Sequence, residues 1–254
     1  EEFEDVDGYF AAAADLIAMD CIAIQELLVT FHGKSAHASA APWDGRNALD
    51  AAVLGYMNVA TMRQHIRPNE RVHGIFTKGG DKPNIVPHEA EMDWYVRSGT
   101  ISSLQPLKQR VYTALESAAS ACGCTMSHSW VDNTYADMVD NGPMVASYVA
   151  NAARMGRTVM DPVTSGRRVM GSTDMGNVSY LVPSIHPMIK VSPDGVPIHS
   201  LEFATWAASP AGDQAVLDGA KAMAMTVVDL WCSTPLRERV QVAFAGRPKG
   251  VQVL

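Results

Sequence analysis

The chain has 254 residues, 47% hydrophobic and 19% charged, with a formal net charge of −7. This is ordinary soluble globular material, enough for one large domain or two small ones. The acidic balance argues against nucleic acid, no apolar run is long enough to cross a bilayer, and no charged-then-apolar signal segment opens the chain.

Four cysteines, Cys21, Cys122, Cys124 and Cys232, are too few for a disulfide framework at this length and read as reduced thiols of a cytoplasmic protein. The Cys122-x-Cys124 pair has no second pair with which to hold zinc.

In chain order, residues 22–32 alternate, with Leu27, Val29 and Phe31 on one face and Glu26, Thr30 and His32 on the other. That period of two predicts a strand. Leu49, Val53, Tyr56, Met57 and Ala60 then recur at three and four, which predicts an amphipathic helix capped by Asn47. Residues 71–77 and 89–97 predict two more strands joined by a turn-rich GGDKPN; the second carries Ala90, Met92, Trp94 and Val96 on its apolar face. A second helix follows, striped by Leu104, Leu107, Val111, Leu115 and Ala118 and stopped by Gly123, and residues 125–130 predict a last short strand. The order β-α-β-β-α-β is the split βαβ of ferredoxin-like folds.

The segment 135–143 breaks the pattern, and α/β material follows. It opens with a helix carrying Val145, Tyr148, Val149 and Ala152, then a loop over 161–169 and two apolar stretches, NVSYLVP and SIHPMIKV. A long helix from about Asp213 closes it, with a stripe of Val216, Ala220, Met223, Val227 and Trp231 of the kind that packs on a sheet. The expected fold is thus α/β plus α+β, with the ferredoxin-like unit first.

Taken singly, the polar residues are weak signals. His37 sits in a small-residue loop, and a surface histidine explains it equally well. Asn84 before Ile-Val-Pro can simply close a turn. Arg97 ends a strand, where its guanidinium either clamps a carboxylate or balances Glu89, Glu91 and Asp93. If the strands flanking GGDKPN form a hairpin, Asn84 and Arg97 converge on one small anion. GSTDMGNVS sets hydroxyls and an acid, including Thr173 and Asp174, before what reads as an apolar strand, a place where open α/β sheets put ligand loops. His199 reads as lying between a strand and a helix, and spacing alone gives it no metal role.

Together HGKSAHASAAPWDGRNALDAA, VHGIFTKGGDKPNIVPHEAEMDWYVRS, GSTDMGNVSYLVPSIHPMI and GVPIHSLEF resemble peptidase family M20, in its amidohydrolase branch. The resemblance implies an α/β zinc-peptidase-like catalytic domain interrupted by a ferredoxin-like domain that pairs with its twin in a homodimer. Residues 1–21 would be a residual catalytic-domain segment, 22–137 the dimerisation domain, and 138–254 the C-terminal part of the catalytic domain. It implies that His37 reaches the partner's site to steady the carbonyl oxygen, and that Asn84 and Arg97 hold a substrate carboxylate. The loop with Thr173 and Asp174 would line the pocket, and His199 would ligate one of two divalent metals, zinc or manganese. The family's His- and Asp-rich metal motif has no counterpart here; Glu1-Glu2 is either the remnant of its Glu-Glu pair or unrelated to it, since FEDVDGYF follows at once where the family has a longer segment.

The expectation is a fragment of a metal-dependent hydrolase of small N-acyl or dipeptide-like amides, lacking most metal ligands and a poor catalyst alone. The alternatives are a non-catalytic, dimerising, carboxylate-binding homologue and an amino-acid-sensing regulatory module. His199 and the STDMGN loop speak against the sensor.

Overall fold

The computed structural model describes residues 15–16, 20–161 and 170–249. Glu1-Glu2, the alanine run at 11–14 and nearly all of the 161–169 loop lie outside the described residues. The strands are β1 (Asp20–Cys21), β2 (Ala23–His32), β3 (Arg71–Lys78), β4 (Glu89–Ser98), β5 (Thr125–Tyr135) and β6 (Met170–Gly171). The α-helices are α1 (Ala48–Met62), α2 (Ile101–Ala121), α3 (Gly142–Ala153), α4 (Met175–Leu181), α5 (Leu201–Ala207), α6 (Pro210–Cys232) and α7 (Thr234–Ala245). They form two compact units, a sheet unit of Ile22–Ala136 and a second unit made of the segments on either side of it.

The sheet unit is the expected βαββαβ arrangement. Its four strands run in the order β3-β4-β2-β5, every neighbouring pair antiparallel. Alternation does the sorting: Leu27, Val29, Phe31, Met92, Trp94 and Val96 are buried on one face of β2 and β4. Helix α2 lays Leu104, Leu107, Val111, Leu115 and Ala118 into the same core, all buried, so its stripe is as predicted. Thr100 and Ser103 close a capping box at its start, and Gly123 ends the turn with φ +66. Asn47 caps α1 as expected, accepting from the amides of Leu49 and Asp50.

Two expectations for this unit change. The last strand is eleven residues long, not six. Helix α1 is also rotated: it buries Ala48, Ala51, Ala52, Gly55 and Val59, while Val53 and Met57 of the predicted stripe are 48% and 54% exposed. The cause is close packing. A Cβ on Gly55 would meet Leu115 at 3.0 Å and the Phe31 ring at 3.4 Å, so the small face goes inward and the large apolar residues are left outside.

In the second unit, β1 and β6 pair in parallel. The stretch NVSYLVP is mostly helix α4 rather than a strand, as a short apolar run allows. SIHPMIKV forms no named strand, and Met188 makes only an isolated bridge with Leu16. Helix α6 begins at Pro210, and its predicted stripe faces away from the interior: Val216 is 70% exposed and Trp231 75%. The buried face is Gly212, Ala215, Asp218, Ala222 and Thr226. Polar contacts hold it. Arg157 bridges Asp15 at 3.2 Å and Asp218 at 2.9 Å, and the Asp229 carboxylate accepts from Ser147 and Asn151, each at 2.7 Å. Among the described residues no helix is long and apolar enough to cross a membrane.

Candidate active site

The loop after β2 is built by close backbone approach. A Cβ at Gly33 would collide with the Arg46 carbonyl oxygen, so only glycine lets Lys34 pair with Arg46. The next residues are stitched to the loop after β3: Ala38 N–H donates to the Asn84 carbonyl at 3.0 Å, and Val86 N–H to that of Ala36 at 2.9 Å. His37 and Asn84 are thereby brought together, both exposed, at the end of the sheet where β2 finishes and β4 begins. The His37 Nδ1 accepts from the Ala40 amide at 3.3 Å and the Ser39 amide at 3.4 Å, with the Ser39 hydroxyl at 3.3 Å. A neutral ring held that way keeps its proton on Nε2, pointing a donor away from the loop.

Arg97 lies elsewhere. It is on the outer face of β4, eight residues from Glu89 and so about 27 Å along the strand from the Asn84 end. It faces Arg71 across the β3–β4 pair and Ile24 across the β2–β4 pair. Asn84 and Arg97 of one chain therefore cannot clamp one small anion, which corrects the convergence expected from the hairpin. The hairpin exists, but the loop sits at one end and Arg97 at the other.

The surface ion-pair reading of Arg97 fails too. Among the described residues Arg97 forms no ion pair; Glu89 is taken by Lys78 at 2.6 Å. Its Nε is buried without a hydrogen-bond partner, and its guanidinium leans over the Tyr95 ring at 5.8 Å. Burial lowers its pKa from the ordinary arginine value. A buried guanidinium N–H without an acceptor is costly, and a bound anion is one group that would satisfy it.

In the second unit, β6 delivers the chain to Thr173 and Asp174 just past a parallel strand. Thr173 Oγ1 accepts from the Met175 amide at 3.3 Å at the start of α4, and Asp174 is exposed. His199 is also exposed. It follows no strand: it sits in a turn before α5 with φ +65, the only non-glycine residue with positive φ among those described. That conformation costs an L-residue about 1–2 kcal/mol. Among the described residues no group of three or more His, Cys, Asp or Glu side chains is placed to hold a metal ion. Burial pushes the Cys122 and Cys124 thiols up, away from the thiolate a metal needs.

Two features of the second unit went unread in the sequence. Tyr180 donates to the buried Asp137 carboxylate at 3.0 Å, and burial, with Asp137 beside it, raises the phenol pKa. His186 Nδ1 is buried without a partner. Its setting in SIHPMI looked like strand material, which hid it.

The sheet unit thus carries a histidine–asparagine loop at one end and, on its open face, an arginine without an ion pair among the described residues. Residues 24–121 match the M20 family described as a peptidase dimerisation domain. The chain thus carries an M20 dimerisation domain, and over nearly all its length it is similar to proteins named as a dipeptidase and as a hydrolase.

Its relatives include the mouse Xaa-Arg dipeptidase, 36% identical over 99% of this chain and 59% of the relative. Another is a p-aminobenzoyl-glutamate hydrolase component from Escherichia coli, 24% identical over 94% of this chain and 61% of the relative. This chain thus spans about three fifths of the length of these relatives. In fold it is similar to a hydantoinase/carbamoylase-family amidase from Burkholderia vietnamiensis, with a TM-score of 0.63 and 16% identity, over 86% of this chain and 50% of that one.

Proposed function

We propose that the chain is the dimerisation and substrate-holding portion of a metal-dependent hydrolase, acting on amide bonds of small N-acyl amino acids or dipeptide-like substrates. That class includes the Xaa-Arg dipeptides for which a relative is named. The observation that carries the reading is Arg97, a half-buried guanidinium with no carboxylate of its own on the open face of an M20 dimerisation domain. It would hold the substrate's free carboxylate. His37, with its proton on Nε2, would donate to the carbonyl oxygen as negative charge develops there. Asn84 would assist beside His37, and the loop with Thr173 and Asp174 would line the pocket.

Two copies make sense of the separation between these groups. The edge strand β3 exposes Ile75 at 62% and Phe76 at 42%, and α1 beside it exposes Val53 and Met57. An open apolar edge in a soluble protein needs cover. If β3 pairs antiparallel with its twin about a two-fold axis, the Lys78 end of one strand meets the Arg71 end of the other. The His37–Asn84 loop of one protomer then approaches the Arg97 end of its partner, with the two β4 strands about 14 Å apart. The partners proposed are thus a second copy and a small carboxylate-bearing amide, in the cytoplasm.

The resemblance brings with it a divalent metal pair, zinc or manganese, whose chemistry would be to activate water and polarise the carbonyl. The donors among the described residues do not fit such a centre, since no three of them, His199 included, are grouped to hold a metal ion. That observation favours a second reading, a non-catalytic carboxylate-binding homologue. Metal analysis of the full-length protein separates them: stoichiometric zinc or manganese supports the hydrolase, and none supports the homologue.

The substrate role of Arg97 is tested by Arg97→Ala in the full-length enzyme, with KM compared for an N-acyl amino acid and its carboxamide. The expected outcome is loss of discrimination, worth about 2–5 kcal/mol in binding, with folding unchanged. Discrimination that survives the substitution contradicts the proposal.

A further inference from the structure

The open face of β4 carries a second orphan of opposite charge. Asp93 is four residues before Arg97 on the same face, about 13 Å away along the strand, and its Oδ1 is buried without a hydrogen-bond partner. It lines a cavity of about 270 Å³ with His73, Gly74, Ile75 and Tyr95. Tyr95 falls between the two charged residues along β4, 39% exposed, with the Arg97 guanidinium 5.8 Å from its ring and the ring of its cross-strand partner His73 edge-on at 5.8 Å.

We infer that Asp93, with Tyr95 as its floor, is a specificity subsite for a cationic side chain on the residue whose carboxylate Arg97 holds. An unpaired buried carboxylate oxygen is costly, about 1–3 kcal/mol or more, and an ammonium or guanidinium donor removes that cost. A neutral side chain of the same length leaves it in place. The aromatic ring offers a face to the methylene stem and to the cation alike. Arg97 leans over Tyr95, and Asp93 lies four residues back along the strand, so a ligand that reaches from one to the other needs a long side chain such as that of lysine or arginine. The site reads charge at both ends: it accepts a ligand that is anionic at the backbone carboxylate and cationic at the side-chain tip. A second carboxylate, Glu26, borders Tyr95 from the other side in a separate cavity of about 150 Å³ with Ile24 and Tyr135. It is the natural control, because it adjoins the same ring without lining the Asp93 cavity.

The inference rests on Arg97 as the carboxylate clamp, and the test separates the two. Calorimetric titration of the 254-residue chain with Nα-acetyl-lysine and Nα-acetyl-norleucine compares the same stem with and without its charge. The expected result is about tenfold tighter binding of the lysine derivative. Asp93→Asn should erase that preference while leaving norleucine affinity unchanged; Glu26→Gln should preserve it, and Arg97→Ala should weaken both ligands equally. Asp93→Ser, checked by thermal melting, replaces the asparagine variant if the latter fails to fold. Equal affinity in the unmodified chain, no binding of the lysine derivative, a preference that survives in the Asp93 variants, or one lost only with Glu26→Gln overturns the cation subsite. If Asp93→Asn erases the preference but Arg97→Ala changes neither affinity, the subsite stands and the carboxylate clamp falls.

Discussion

The two units bury themselves by different means. In the sheet unit the largest side chains are the innermost: Trp94, Phe31, Leu27 and Met92 are at most 1% exposed. In the second unit the inner face of α6 is small and polar, and its large apolar residues, Val216, Met223 and Trp231 among them, are more than half exposed. One unit is held by dispersion and the hydrophobic effect; the other leans on a partly buried arginine and on carboxylates that accept several hydrogen bonds each. An apolar stripe in a sequence therefore states where a helix can be buried, not where this chain buries it.

That contrast is breakable by two substitutions of the same residue type. Trp94→Ala should cost about 3–5 kcal/mol of sheet-unit stability through the cavity it leaves. Trp231→Ala should cost about 0.5 kcal/mol or less, as an exposed substitution does. Denaturant melts of the two variants decide it, and comparable losses would mean that the α6 face is covered.

Acid should sharpen the same contrast. The Gln214 hydrogen bond and then the Arg157 guanidinium hold Asp218 below the usual carboxylate range, and Ser147 and Asn151 do the same for Asp229. A folded pKa below the unfolded one gives stability that is complete above the unfolded value, near about 4, and is lost as pH falls through the folded value. The sheet unit's Glu89 is also depressed, by Lys78, but that pair is solvent-screened and carries little stability. Tryptophan fluorescence and amide exchange followed downward from pH 5 should show the second unit loosening first. Simultaneous loss of both units would remove the distinction.

How much was legible follows from the same physics. Strands β2 and β4 alternate large apolar with polar residues, so faces, partners and the ferredoxin-like order could be read directly. Helix α2 has leucines at helical spacing and was equally plain. Helices α1 and α6 were identified as helices, but their buried faces are Ala, Gly, Asp and Thr, which a hydrophobicity pattern passes over in favour of Val53 or Trp231. Of the site, each residue was named from family resemblance, and their mutual placement was not legible. Thirteen positions separate Asn84 from Arg97, and nothing in that spacing says that the intervening strand carries them apart. The orphan state of Arg97 and Asp93 was hidden as well, because a run of alternating charges reads as a set of mutual ion pairs.

On the proposed arrangement, the two ends of the sheet unit serve one shared site only when a second copy pairs along β3. Sedimentation velocity on the chain tests it directly, beside Ile75→Lys, which puts a charge on that edge. The unmodified chain should sediment as a particle of twice the 27.3 kDa chain mass, and the variant as one of single mass. A single-mass particle from the unmodified chain at high concentration would contradict it.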